Sequence, residues 1–170
     1  MTLVRKIRSH GTASNFAEAI SRLVSPGDYV EVVRGVPRSL IMACPDGCGE
    51  NITINLDKRA GPAWRKYVRH NRLTVYPSVW RESGCESHFI IWQDQILWCG
   101  RRDDPEVDRM DESLGISILH HFPVDTFVHY LTIAEETGNI PWEVYWSCLE
   151  LAKAGSLAQG KMGTFKRIKQ

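Results

Sequence analysis

Two short clusters of metal-binding side chains, some forty residues apart, constrain this chain more than any other feature: Cys44-Pro45-Asp46-Gly47-Cys48-Gly49 and Cys85-Glu86-Ser87-His88. Three residues separate the first two cysteines and two separate Cys85 from His88. Both spacings lie in the range that thiolates and imidazoles use around zinc. Pro and Gly in the first loop let backbone amides turn toward the sulfurs. Two such pairs can close a tetrahedron and cross-link a sheet too small to be stable on its core alone. The competing explanation is that these are buried cysteines packing as small apolar groups. One pair alone would favour that explanation, and two pairs at ligand spacing favour a metal. The donor set suits zinc, with iron as the alternative. Cys44, Cys48 and Cys85 are ligands in every arrangement, and His88, Cys99 or Asp46 supplies the fourth. Cys148 falls on the apolar face of a helix and belongs to a core.

Composition agrees with a globular protein whose thiols stay reduced. The 170 residues are 43% hydrophobic and 24% charged, enough apolar material for a core. A net charge of +1 exerts little long-range pull on nucleic acid or membrane. No apolar run approaches the ~20 residues that span a bilayer. The N-terminal Met-Thr-Leu-Val-Arg-Lys-Ile-Arg lacks the apolar stretch of a signal peptide, and five cysteines are an odd count for a disulfide framework. A cytoplasmic location follows as the expectation.

Along the chain, Ser14 with Glu18 predicts a helix start, and Tyr29–Val33, Ser39–Ala43 and Asn51–Leu56 predict strands. Pro62–Tyr67 suggests a short helix. Leu73–Tyr76 is a strand stopped by Pro77, and Ser87–Cys99 is a hairpin turning at Gln93-Asp94, which sets His88 opposite Cys99. The expected architecture is α+β: a small antiparallel, zinc-stapled sheet domain with a leading helix, followed by a second domain. Charged, Pro-containing Gly100–Glu106 is the linker, giving domains at 1–102 and 108–170.

Beyond the linker the periodicity is helical. Helices are expected over 111–121, from Pro123 to Gly138, and from Pro141 to Gly155, then two short strands around the basic loop Gly160–Gly163. Three helices and a hairpin resemble the winged-helix pattern. The helix from Pro141 would display Glu143, Trp146, Glu150 and Lys153, without the arginines and lysines that phosphates need. That argues against nucleic acid and for protein binding or packing. Trp142 and Trp146 fit a core better than a docking anchor.

The run from Ser39 to Gly100 resembles a bacterial family of small zinc-motif proteins, of uncharacterised-domain type, encoded beside ubiquitin-like conjugation genes. The likeness rests on Cys44-Pro45-x-Gly47-Cys48-Gly49, Asn55-Leu56-Asp57, Gly61-Pro62-Ala63-Trp64, Tyr76-Pro77-Ser78-Val79-Trp80 and Gly84-Cys85-x-Ser87-His88-Phe89. Many relatives have a third cysteine where this chain has Asp46, so the resemblance implies that position 46 is not an obligatory ligand. It further implies a part in processing or removing a ubiquitin-like protein, as a serine-type peptidase, with the activating and conjugating enzymes as partners.

Such a peptidase needs a nucleophile and a base. Ser78 is the best nucleophile, and His88, on the neighbouring strand, the best base; Glu82, Glu86 or Asp46 could orient it. His88 is thereby claimed twice, since a zinc-bound nitrogen cannot also take a proton. The family's third cysteine favours the base and its loss here favours the ligand; we read His88 as the base. Most serines after proline merely cap a turn. The alternative to a peptidase is a non-catalytic zinc-stabilised adaptor for the ubiquitin-like protein or its conjugating enzymes. What His88 touches discriminates: Ser78 for the enzyme, the metal for the adaptor.

Overall fold

Leu40, Ile41 and Met42 follow one another and are all buried. Successive side chains on a strand point to opposite faces, so their strand must be covered on both sides. In the computed structural model, which describes residues 3–100 and 112–169, that strand is β3 (Val36–Ala43). It sits in a four-stranded sheet with β1 (Arg8–Ala13), β2 (Asp28–Arg34) and β4 (Asn51–Asn55), in the order β1-β2-β3-β4. The helix α1 (Phe16–Ser21) covers one face, where Ala19 clusters with Val30, Val32 and Ile41.

The opposite face presents Leu40, Met42, Ile52 and Ile54 to a second four-stranded sheet. Its strands are β5 (Arg65–Arg69), β6 (Arg72–Trp80), β7 (His88–Trp92) and β8 (Gln95–Trp98), joined in sequence order. Val75, Phe89, Ile91 and Ile96 complete the shared core from this side. Cys44 and Cys85 lie at its margin. The first unit is therefore a helix, a sheet and a second sheet in layers.

Several expectations for this half change. Two sheets stand where one was expected. β1 was not anticipated and pairs with β2 in parallel. Asn15, not Ser14, caps α1: its side chain accepts the Glu18 amide at 3.0 Å, while the Glu18 carboxylate accepts the Ser14 amide and hydroxyl. No helix forms at Pro62–Tyr67. Arg65–Arg69 pairs instead with Arg72–Tyr76 around a two-residue turn, His70-Asn71, with φ of 49° and 58°. Hairpin pairing across a turn of this hand supplies the long-range partners that a single amphipathic turn lacks.

Nor does Pro77 end its strand. β6 continues to Trp80, past the last β5 pair, Arg65↔Tyr76. Register moves from Val75↔Ile91 to Val79↔Phe89, so Tyr76, Pro77 and Ser78 together oppose Ile90. Proline, with no amide to give a ladder, is tolerated at such a bulge. The β7–β8 hairpin turns at Gln93-Asp94, and the Cys99 amide donates to the His88 carbonyl at 2.9 Å, as the register count required.

The chain divides into two compact units, Met1–Pro105 and Glu106–Gln170. The expected linker, from Arg101 onward, and the boundaries at 102 and 108 lie outside the described residues. The second unit holds α2 (Glu112–Leu119), α3 (Tyr130–Thr137) and α4 (Pro141–Lys153), with β9 (Val128–His129), β10 (Leu157–Gln159) and β11 (Thr164–Arg167). The sheet order is β10-β11-β9, both pairs antiparallel. α3 starts at Tyr130 rather than Pro123, because Val128 and His129 are drawn into the sheet. Trp146, expected on the displayed face of α4, is buried with Trp142, the indoles stacked at 5.9 Å. Cys148 is fully buried, and burial pushes its thiol up to about 12. Among the described residues no helix is long and apolar enough to cross a membrane.

Candidate active site and thiol cluster

The β6 bulge decides what meets what. In unbroken register Ser78 would lie directly across from His88. The two extra residues shift the pairing so that His88 faces Trp80 and Ser78 lies on the diagonal. A diagonal neighbour is within reach of a long side chain, and the imidazole leans back to it. His88 Nε2 stands 3.0 Å from Ser78 Oγ. Val79 and Phe89, on the opposite face, are buried in the core and anchor both strands. Ser78 and His88 are both half-buried.

Two further contacts hold the pair. The Trp80 ring flanks the imidazole at 5.8 Å between centroids. The Trp64 indole N–H donates to the Ser78 carbonyl at 3.2 Å, fixing the backbone of the bulge. Trp64 is itself placed by its amide, which donates to the Asn55 carbonyl at 2.8 Å. The Asn55 side-chain amide donates in turn to the Asp57 and Pro62 carbonyls. The runs Asn55-Leu56-Asp57 and Gly61-Pro62-Ala63-Trp64 are thus the scaffold behind Ser78. Sequence reasoning had given Trp64 no role; its signal was only that it belonged to the same set of motifs. Among the described residues no carboxylate hydrogen-bonds His88, and Glu82, Glu86 and Asp46 are not engaged with it.

The cysteines gather beside this pair. Sγ of Cys44, Cys48 and Cys85 all lie within 4.8 Å of one another, with Cys44 buried and Cys48 exposed. Cys44 and Cys85 are 3.7 Å apart. Two sulfurs on a tetrahedral zinc at ordinary bond lengths would be separated by about 3.8 Å, so the donors fit such an ion in identity and spacing. Neither His88, Cys99 nor Asp46 joins this group among the described residues. The Ser87 hydroxyl bridges Cys85 at 3.2 Å and Cys44 at 3.5 Å. Arg81 Nη1 donates to Cys85 at 3.3 Å and Cys48 at 3.5 Å, and its other nitrogen pairs with Glu50.

Burial raises both thiols. At Cys44 it prevails and the thiol titrates above its usual range. At Cys85 hydrogen bonds from Ser87 and the other two cysteines outweigh it, and the thiol titrates below.

No curated protein and no solved structure matches the chain. Residues 16–99, just under half of the chain, match the family model described as "Bacterial ubiquitination-like system serine protease (BubE)", so the segment bearing Ser78 and His88 is similar to the serine proteases of a bacterial ubiquitination-like system.

Proposed function

We propose that the chain is a serine-type peptidase that processes or deconjugates a ubiquitin-like protein in a bacterial ubiquitination-like pathway, with Ser78 as nucleophile and His88 as general base. The observation that carries this reading is the 3.0 Å contact between Ser78 Oγ and His88 Nε2, within the segment similar to those serine proteases. Ser78 Oγ attacks the scissile carbonyl carbon while its proton passes to His88 Nε2. The tetrahedral intermediate collapses, the C–N bond breaks, and the leaving amine takes the proton from the imidazolium. The acyl group stays on Oγ until water, giving a proton to the same nitrogen, hydrolyses the ester and restores the hydroxyl. The adaptor reading would have His88 on the metal, and its contact with Ser78 supports the enzyme instead.

For the thiol cluster the reading is a structural zinc ion held by Cys44, Cys48 and Cys85. A divalent cation with three thiolates carries a net charge of about −1, and the Arg81 guanidinium against two of the sulfurs offsets it. Its contribution is a cross-link, since electron-rich thiolate zinc is a poor Lewis acid. Cys44 directly follows β3, and Cys85 and Ser87 precede β7, so the cross-link fixes the approach to His88. We take 1–102 as the zinc-motif domain and 108–170 as a winged-helix-like domain of a cytoplasmic protein whose partners are the ubiquitin-like protein and its activating and conjugating enzymes.

The test is cleavage of a ubiquitin-like protein carrying a C-terminal extension. The wild-type chain releases the extension, and Ser78→Ala does not, while melting at the same temperature. Release by Ser78→Ala at the wild-type rate would sink the reading.

A further inference from the structure

β6 changes from an inner strand to an edge strand at the nucleophile. Its pairing with β5 ends at Arg65↔Tyr76, and the preceding chain turns away, because the Trp64 amide is bonded to Asn55 of the other sheet. Past that point, among the described residues, Ser78, Val79 and Trp80 have a neighbouring strand, β7, on one side only.

The hydrogen-bond pattern tells which backbone groups the open side exposes. In an antiparallel ladder hydrogen-bonded and non-hydrogen-bonded pairs alternate. The Arg81 amide donates to the Ser87 carbonyl at 3.0 Å, and the Cys99 amide donates to the His88 carbonyl at 2.9 Å. Trp80↔His88 is therefore a non-hydrogen-bonded pair, and the Trp80 N–H and C=O point away from β7. Among the described residues neither has a partner. The Ser78 carbonyl points the same way, but the Trp64 indole already occupies it. The Trp80 N–H and C=O are thus the complete donor–acceptor pair left open on this edge. They are flanked by the Trp80 side chain, 62% exposed and on the same face as Ser78 Oγ and His88.

We propose that this edge is the substrate cleft, and that an extended polypeptide segment binds by adding a strand to β6 through the N–H and C=O of Trp80. This rests on the peptidase reading and specifies how the substrate is held. A strand rises about 3.3 Å per residue, so the substrate residue paired with Trp80 lies two residues from the one over Ser78. The Trp64 indole closes the edge at Ser78 and turns the incoming chain onto the face that carries Oγ. Main-chain pairing at that point demands an extended substrate and asks little of its side chains. The required substrate is therefore an unstructured terminal or linker segment and not a folded surface. The Trp80 ring lies under that segment, where an aromatic face excludes water from the new hydrogen bonds.

The experiment measures covalent labelling of the wild-type chain at Ser78 by two kinds of reagent, a small alkyl fluorophosphonate and a pool of tetrapeptidyl diphenyl phosphonates. In each, Ser78 Oγ displaces the leaving group from phosphorus, fluoride or phenoxide respectively. The peptidyl pool labels faster, and N-methylation of the single peptide nitrogen that pairs with Trp80 lowers its rate by about tenfold, the loss of one hydrogen bond at the edge. N-methylation elsewhere in the peptide changes the rate far less. Trp80→Pro, which deletes the amide and is compatible with an edge strand, lowers the peptidyl rate similarly. Equal rates for every N-methylated pool overturn the cleft while leaving the peptidase reading intact. Absence of Ser78 labelling by the small fluorophosphonate overturns both.

Discussion

Ser78 and His88 meet as a diagonal pair, 3.0 Å apart, because the bulge in β6 sets Trp80 rather than Ser78 directly opposite His88. Removing either member removes the same proton transfer. Ser78→Ala and His88→Ala should each lower turnover by about 10³-fold or more, and the double variant hardly further, measured by release of a C-terminal extension. Trp64 works at one remove, through the Ser78 carbonyl. Trp64→Phe keeps the apolar packing and loses the donor. It should lower kcat by about tenfold with the pH at half-maximal rate unchanged; a change in KM with kcat intact would leave Trp64 a role at the substrate edge alone. The sequence made the proposed nucleophile and base legible, because serine and histidine fell on neighbouring strands. It did not disclose the diagonal geometry of the contact, which follows from a slip in register at Tyr76-Pro77-Ser78 that no periodicity records. Nor did it resolve the double claim on His88, since ligand and base share the same residue type.

At the scale of elements, the strands expected from alternation at Tyr29–Val33, Ser39–Ala43 and Asn51–Leu56 held, and so did two elements set by local turn chemistry. The Gln93-Asp94 hairpin and the helix from Pro141 are of this kind. Those that failed depended on partners distant in the chain. Arg65–Arg69 is a strand only because Arg72–Tyr76 lies beside it. β1, reading Arg-Ser-His-Gly-Thr-Ala, has no apolar alternation, and five of its six residues are exposed. What fastens β1 is Asp28 at the start of β2, almost wholly buried. Its carboxylate accepts from Arg8 Nε at 2.9 Å and from the Val24 and Ser25 amides at 3.0 and 2.8 Å, and His10 lies at 3.2 Å. Burial works to raise this carboxyl, but the two amides, His10 and Arg8 together hold it below its ordinary value. A depressed carboxyl contributes stability that is complete above the unfolded value, near pH 4, and is lost as the pH falls toward the folded value. Denaturant titration should show that contribution in full at pH 7 and reduced at pH 3. Asp28→Asn should cost about 2–3 kcal/mol at pH 7 and remove that share of the acid sensitivity.

For the whole molecule the zinc reading makes a claim that does not depend on turnover. The chain purified from cells should carry about one zinc per molecule by elemental analysis, and Cys44→Ser or Cys85→Ser should lose it. Prolonged chelation should lower the melting temperature of the first unit and slow cleavage together, since the cysteines bracket the approach to His88. A metal-free chain of unchanged melting temperature would contradict the cross-link. The three cysteines were legible from spacing, Cys44 and Cys48 within one loop and Cys85 through its distance from His88, which does not join them. Arg81 and Ser87 were not, because their part comes only from the folded β6–β7 connection.

As proposed nucleophile and base, Ser78 should be reactive and should owe that reactivity to His88. Peptide mapping by mass spectrometry after treatment with an alkyl fluorophosphonate measures this most directly. It should find one phosphonyl adduct, on Ser78, in the wild-type chain and none in a folded His88→Ala variant. An unlabelled Ser78 in the wild type, or equal labelling without His88, would contradict it.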